Sequence, residues 1–527
     1  MVRRRSDLII SASLALALAV ACSIFADAAR AAERPNVIIF LADDMGWADV
    51  GYKGSPIETP SLDRLAREGT RLERFYATPV CSPTRAALMT GRDPMRLGII
   101  YHALMPWHQH GVAFNERFMP EAFRDAGYQT AMIGKWHLGH TFPEHLPNAR
   151  GFDHYYGHLL TAVDFFEHSI QGGYDFQRNG KSLKREDEGE YATYLAGRDA
   201  VRWIRARDKS KPFFLYVPFL APHNPMQAPK DLIAKYDFIP ENTPNQRPLD
   251  RRINAAMIDA LDQAIGWTLD TLDEEGIADD TLVLFFSDNG GSVANGSSNA
   301  PLRGFKLQTF EGGIRVLAVA RWPKRLPAGA RSDQLMTVAD VFPTLASAAG
   351  VPIGAAKPIE GRDVWQGLAS GSPIERDDPL FFTCEQAIED VYFHAVIHDG
   401  WKLVQKEDHV LEQLTLTNYL FRIREDPNEE HDLSAKHPKL VADLSARIHD
   451  WRARHPLGGT GTGLVPHPGW RPPRDWADLA PAMGAIQNSE VSGEDLGMGW
   501  PHLPGIKQQL QRAYGDRGRL VYDADLD

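Results

Sequence analysis

The stretch NVIIFLADD, Asn36 to Asp44, is an apolar run that stops abruptly at two aspartates. A strand with one face in water alternates apolar and polar residues, so an unbroken run of this length reads as a strand covered on both faces. Three further stretches repeat the plan: TAMIGKWHLG (Thr130 to Gly139), FFLYVPFLAPH (Phe213 to His223) and LVLFFSDNGG (Leu282 to Gly291). Helix-length amphipathic segments such as PSLDRLAREG and RRINAAMIDALDQAIGWTLDTLDEEG lie between them. This alternation predicts an α/β sheet sandwiched by helices. Ligands of such sheets bind beyond the strand C-termini, so the four polar endings are expected to meet at one pocket despite their distance along the chain.

The 527-residue chain carries a formal charge of −12. Beyond its first few residues it has no long run of lysine and arginine, so no nucleic-acid partner is expected. The basic start, the apolar run from Leu8 to Val20 and the small residues around Ala26 to Ala28 read as a signal peptide over residues 1–28. Arg3 to Arg5 also fit a twin-arginine signal, and Cys22 fits a lipoprotein site. The expectation is an exported protein, periplasmic or secreted, with no stable membrane insertion after cleavage. Cleavage leaves Cys81 and Cys384, which read most simply as one functional and one buried residue.

A catalytic domain is expected over residues 34–370. The texture then changes to LFFTCEQ, VYFHAVIHDGWKLVQKE and NYLFRIREDPNEEHDL, with Asp399-Gly400 as a hairpin turn. Together with SAKHPKLVADLSARIHDWRARH, read as a capped amphipathic helix, this predicts a smaller C-terminal antiparallel sheet plus helix over 371–456. Residues 457–527, rich in Pro, Gly and Trp, read as a tail that is either loop-like or wrapped over the surface.

Candidate chemistry sits at the strand ends. Asp43-Asp44 and Asp288-Asn289 would singly be turn residues, but two such pairs beside glycines point to a divalent cation held by oxygens, Ca²⁺ or Mg²⁺ in preference to Zn²⁺. In CSPTRAALMTG, Cys81 to Gly91, Ser82 is expected to cap a helix, with Pro83 at its first position and Gly91 at its end. Cys81 would then lie at the helix mouth, with Arg85 a turn inside. Lys135, His137, His223, Lys306, Arg303 and Arg315 each have an ordinary surface reading. Gathered with Arg85 around a metal, they would form a cationic pocket suited to a tetrahedral oxyanion. The aromatics of YHALMPWHQH and DHYYGHLL either line a sugar subsite or belong to the core.

These residues carry a resemblance. CSPTRAALMTGR resembles the signature of the type I sulfatases, Cys-x-Pro-x-Arg followed by Thr-Gly, and LADDMGWADVG, GKWHLG, SDNGG and DPNEEHDL also occur in that family. The match runs from Pro35 to Arg454. GKWHLG…RGFDHYYGHLL and NAPLRGFKLQTFEGGIR are most similar to the N-acetylgalactosamine-4-sulfatase (arylsulfatase B) branch. The resemblance implies an alkaline-phosphatase-like large mixed sheet. It also implies hydrolysis of sulfate monoesters, of aryl alcohols and of sulfated sugars such as N-acetylgalactosamine 4-sulfate. Cys81 would be oxidised to Cα-formylglycine by a formylglycine-generating maturation enzyme, and the hydrated aldehyde would attack sulfur. By the same resemblance Asp43, Asp44, Asp288, Asn289 and the modified Cys81 hold the metal, Ca²⁺ in most members, with Mg²⁺ an alternative. Arg85 and Lys135 match the groups that hold the formylglycine hydroxyls. His137 matches the base for sulfate release, and His223 and Lys306 match the residues that grip sulfate and protonate the leaving oxygen. Two rival readings are a phosphonate monoester or phosphodiester hydrolase of the same superfamily, and a non-catalytic binder of sulfated glycans.

Overall fold

In the first strand, β1 (Asn36–Ala42), Val37, Ile39 and Leu41 enter one hydrophobic core while Ile38, Phe40 and Ala42 enter another, as an unbroken apolar run requires. The computed structural model describes residues 34–101, 103–239, 248–354, 357–388, 391–410, 413–456 and 470–488. The expected signal peptide, and the tail over 457–469 and 489–527, lie outside the described residues.

The other strands of the main sheet are β2 (Thr70–Leu72), β3 (Gln129–Lys135), β4 (His154–His158), β5 (Gln177–Arg178), β6 (Lys181–Ser182), β7 (Phe213–Pro218), β8 (Thr281–Ser287), β9 (Ala318–Arg321) and β10 (Ala330–Ser332). Their order is β10-β2-β9-β8-β1-β7-β3-β4-β5-β6. The block from β8 to β4 is parallel, and antiparallel strands flank it on both sides. The four stretches singled out in the sequence are therefore consecutive strands, and their C-termini open at one edge.

Helices α1 (Pro60–Glu68), α3 (Ala192–Ala206) and α4 (Pro248–Glu274) cover the face that buries Ile38 and Phe40. Helices α2 (Cys81–Thr90) and α6 (Val341–Ala349) cover the other, while α5 (Glu311–Ile314) sits near the C-terminal edge of the sheet. Gly134, next to the end of β3, has φ +130°, and a Cβ there would lie 2.0 Å from the Pro218 carbonyl oxygen of β7. That close approach brings the Lys135 end of β3 against β7. Gly134→Ala is therefore expected to destabilise the protein by about 3 kcal/mol, through both the clash and the backbone conformation, as read by thermal unfolding.

The second sheet, β11 (Leu380–Ile388), β12 (Val391–His398), β13 (Trp401–Val410) and β14 (Gln413–Arg422), is antiparallel in chain order. Asp399 and Gly400, with φ of 50° and 75°, form the expected β12–β13 turn. One face packs on Phe310 and Ile314 of the main domain. The other packs on Leu444 and Ile448 of α7 (Pro438–Arg452). Contrary to expectation, α7 begins at Pro438 after a separate 3-10 turn, and the Ser434 hydroxyl donates to Asp432 instead of capping it.

The tail also departs from the loop reading. Trp476–Asp478 is a 3-10 turn leading into α8 (Leu479–Asn488), and Trp476, Leu479 and Met483 are buried against Phe142 and Leu160. The prolines of PPRDWADLAP interrupt the pattern that would have betrayed so short a helix. No helix among the described residues is long and apolar enough to cross a membrane.

Candidate active site

Asp43 and Asp44 follow β1, Asp288 and Asn289 follow β8, His223 lies in the turn after β7, and Lys135 ends β3 with His137 two residues beyond. From the adjacent layer α2 presents Cys81 as its first residue. Val80, in extended conformation, is the capping position and offers no side-chain acceptor. Ser82 is thus not the cap. Its hydroxyl donates to the His137 carbonyl (3.1 Å) and accepts from the Leu104 N–H (3.0 Å), fixing the helix start to two loops. Gly91 ends α2 in the left-handed conformation, as expected.

Cys81 is fully buried, with Sγ 3.3 Å from His137 Nδ1. The other ring nitrogen, Nε2, lies 2.8 Å from the Leu104 carbonyl oxygen. A carbonyl can only accept, so Nε2 carries the proton and Nδ1 turns its lone pair toward residue 81. Burial, reinforced by the Lys135 charge, keeps the ring neutral by holding His137 well below its ordinary pKa. Burial pushes the Cys81 thiol up, and Lys135 and Lys306 only partly oppose it.

Around this pair runs a dense ionic lattice. Asp43 Oδ2 accepts from Lys135 Nζ at 2.5 Å and Arg85 Nη2 at 3.1 Å. Arg85 also donates to Asp288 Oδ2 through Nη2 and Nε (2.8 and 3.2 Å) and to the Lys135 carbonyl (3.0 Å). Lys306 Nζ lies 2.6 and 2.9 Å from the two oxygens of Asp44. Asn289 Nδ2 donates to Asp44 Oδ1 (2.8 Å), and the Asp44 N–H donates to Asp288 Oδ1 (3.2 Å). His223 Nδ1 lies 2.7 Å from the Asn224 carbonyl, leaving Nε2 to face Asp44 Oδ2 at 3.9 Å. Burial and Lys306 pull His223 down to about 4. Burial alone would raise Asp43, but Lys135, His223, Arg85 and Lys306 together hold it well below the usual carboxylate range. Asp288 goes the other way, pushed up by burial and by the Asp43 charge.

The residues present fit a cation. Asp43 Oδ1 and Asn289 Oδ1 are buried and accept no hydrogen bond from any described residue, although such oxygens are normally satisfied. Asp43, Asp44 and His223 bring ligand atoms within 4.8 Å of one another. A cluster of buried oxygens, two of them without a hydrogen-bond donor, suits a hard divalent ion.

Three non-glycine residues adopt left-handed conformations here: Asp44 (φ 70°), His137 (φ 60°) and Leu307 (φ 73°). Each such conformation costs about 1 kcal/mol or more and persists only where neighbours over-determine it. Ser297 Oγ binds the Asp44 carbonyl, the His137 N–H donates to Leu159 O, and the Leu307 N–H donates to Pro79 O.

Ten of the twelve residues named from the sequence, Asp43, Asp44, Cys81, Arg85, Lys135, His137, His223, Asp288, Asn289 and Lys306, gather at this edge. Arg303 and Arg315 do not join them. Arg303 stacks on Phe310 and Tyr419 and reaches Glu429 O, while Arg315 donates to Glu73 O and lies over Trp47. Tyr155 and Tyr156 belong to the two cores instead of a sugar subsite. Cys384 is buried on β11, and neither it nor Cys81 forms a disulfide. The sequence did not reveal Leu104, which acts through its backbone. Nor did it reveal the loop supports Asp49, Ser297 and Asn299, whose bonds to Gly46, Ser298, Asp44 and Gly291 shape the acidic turn.

Comparison with known proteins adds a second line of support. The sulfatase family model matches residues 35–351. Arylsulfatase J of Mus musculus is 32% identical over 456 residues, which is 79% of this chain and 75% of that protein. N-acetylgalactosamine-6-sulfatase of Rattus norvegicus is 35% identical over 378 residues, 67% of this chain and 69% of that protein. Among solved structures, Ps i-CgsB in complex with a neocarrahexaose superposes with a TM-score of 0.71 at 33% identity, covering 80% of this chain and 93% of the other.

Proposed function

The chain belongs to the sulfatase family and is a sulfuric ester hydrolase, and from that premise we propose that it cleaves sulfate monoesters of sugars, with residue 81, oxidised to formylglycine, as nucleophile. The observation that carries the proposal is the His137 Nδ1 lone pair, 3.3 Å from the side chain of residue 81 at the mouth of α2. Lysines and a histidine converge on the same point, a field that suits a tetrahedral sulfuryl group. The complex of the similar Ps i-CgsB with a neocarrahexaose, together with the likeness to N-acetylgalactosamine-6-sulfatase, supports a glycan as the alcohol portion.

Hydrated, the formyl group would supply a hydroxyl to attack sulfur and a second to release sulfate afterwards. A Ca²⁺ ion, or Mg²⁺, held by Asp43, Asp44, Asp288, Asn289 and residue 81, would polarise the reacting oxygens. The remaining work belongs to the chain's own side chains. Lys135 and Arg85 fix the carboxylates and the residue 81 oxygens. Lys306 and His223 grip the sulfate; His223, whose Nδ1–H donates to the Asn224 carbonyl, protonates the departing oxygen from Nε2 only in its doubly protonated form, which the charge of the bound sulfate favours. His137 Nδ1 takes the proton whose removal frees sulfate. Removing that base is expected to lower kcat by about 10²- to 10⁴-fold in His137→Ala, measured on an aryl sulfate. The proposal includes export, with residues 1–28 as signal.

The test uses protein from its native host. The mass of the tryptic peptide Phe75 to Arg85 should show the thiol replaced by an aldehyde. The same preparation should hydrolyse aryl sulfate and either the 4- or the 6-sulfate of N-acetylgalactosamine faster than a matched phosphodiester. An unmodified cysteine in active protein would overturn the nucleophile, and a faster phosphodiester would overturn the substrate.

A further inference from the structure

Among the described residues, no hydrogen bond or ion pair joins the ten residues of the site to the DPNEEHDL segment or to the GWKL hairpin before it. Their charged residues nonetheless meet out of water. Lys402 Nζ, from β13, lies 2.9 Å from Glu311 Oε1 and 2.9 Å from Glu429 Oε1, and the three side chains are completely buried. Glu429 Oε2 accepts the Glu311 backbone N–H (2.7 Å), and Tyr76 OH donates to Glu311 Oε2 (2.9 Å). Glu429 itself is held at φ 58°. Two carboxylates sharing one ammonium in an apolar seam are costly to assemble and are weak evidence for stability alone. A positional role is the better account.

The position so fixed is that of α5, which Glu311 begins. The Gly290 N–H, next to Asn289, donates to Gly313 O of α5 (2.9 Å). A Cβ on Gly290 would lie 1.9 Å from Gly312 O, so the two turns are in backbone contact. The Gly312 N–H donates to Arg303 O (2.6 Å), closing the loop that carries Lys306. The Lys306 N–H donates to Gly291 O (3.2 Å), and the Leu307 N–H donates to Pro79 O (2.9 Å), two residues before Cys81. Ala77 N–H to Ile314 O (2.8 Å) ties α5 to the strand that carries Tyr76 and leads into α2. One turn thus touches the segments bearing Asn289, Lys306 and Cys81, and among the described residues its buried charged partners from the C-terminal region are Lys402 of β13 and Glu429 of the turn after β14.

We propose that Glu429 and Lys402 are positioning residues, through which the C-terminal sheet holds α5 and thereby sets Lys306 and the Asn289 turn for binding the sulfate group. This rests on the proposed role of Lys306, so the test includes a measurement that needs no turnover. Glu429→Ala removes the acceptor for the Glu311 N–H, Glu429→Gln keeps it, and Lys402→Met removes the shared cation. KM and kcat for an aryl sulfate, and affinity for inorganic sulfate by calorimetry, are measured well below the melting temperature of every variant.

Glu429→Ala and Lys402→Met are expected to raise KM and weaken sulfate binding about tenfold, with Glu429→Gln restoring both to within about twofold. Lowered melting temperatures with KM and sulfate affinity unchanged would overturn the proposal and leave the triad a purely structural device. Should Lys402→Met fail to fold, the Ala and Gln pair at position 429 still decides. A parent protein that turns over no sulfate ester would sink the proposed function, while sulfate titration would continue to read the positioning role.

Discussion

Cys81→Ala is expected to lower kcat on a sulfate ester by about 10⁴-fold or more while leaving the melting temperature nearly unchanged. The side chain is small and buried, the capping position of α2 is Val80 and not Cys81, and Ser82 still ties the helix start to Leu104 and His137. The structure should therefore survive intact around a missing nucleophile. Cys81→Ser gives the sharper result. A serine hydroxyl could attack sulfur once, but its sulfate ester has no second hydroxyl with which to expel sulfate, so rapid-quench measurements should show a burst of about one product per enzyme and then nothing. Steady turnover by unmodified serine protein would exclude the aldehyde mechanism. Substantial activity in the alanine variant would exclude residue 81 as nucleophile altogether.

Removal of divalent metal is expected to cost nearly as much. Chelation should lower activity by about 10³-fold, with recovery on adding Ca²⁺ and weaker recovery with Mg²⁺. The expectation comes from two buried oxygens, Asp43 Oδ1 and Asn289 Oδ1, that no described residue satisfies, and from an Asp288 carboxyl that burial and Asp43 push upward. A dication answers both conditions at once. It should also stabilise the fold, by about 3 to 4 kcal/mol when present at 100 to 1,000 times its dissociation constant. Calorimetric melting of chelated and reloaded protein reads this independently of activity. In Asp43→Asn both the activity and the calcium-dependent stabilisation should largely vanish. A protein whose melting point ignores chelation would show that Lys135, Arg85 and Lys306 alone neutralise the carboxylates.

Much of this was legible because the chemistry is written at the ends of strands. Each of the four core strands announces itself as an apolar run, and each stops at the residues that matter: Asp43-Asp44, Lys135 with His137, His223, and Asp288-Asn289. Parallel pairing then puts those ends together with no further instruction. The misses have different physical origins. Ser82 has a good capping side chain, but tertiary partners claim its hydroxyl, so local propensity yields to packing. Leu104 contributes only a carbonyl and an N–H, which any residue could supply. Arg303 and Arg315 are close in sequence to Lys306, yet a compact turn sends them toward aromatic rings. The triad of Lys402, Glu311 and Glu429 was not legible, because nothing in a one-dimensional pattern says that three such groups will meet in an apolar seam. The helix at Leu479 is too short, and too close to proline, to show its period.

The burial of Cys81 has a consequence in time. Folded, its side chain is 1% exposed, and no oxidising enzyme could seat its own residues around it. The walls that enclose it include Leu307 of the Lys306 turn, which leaves the ribosome about two hundred residues after Cys81 does. At a synthesis rate of about 5 to 20 residues per second, that separation is an interval of roughly 10 to 40 seconds. Throughout it Cys81 is accessible on a chain that cannot yet close over it. The strand order that makes the pocket so complete thus also fixes when its central residue can be altered: during synthesis or export, and not afterwards.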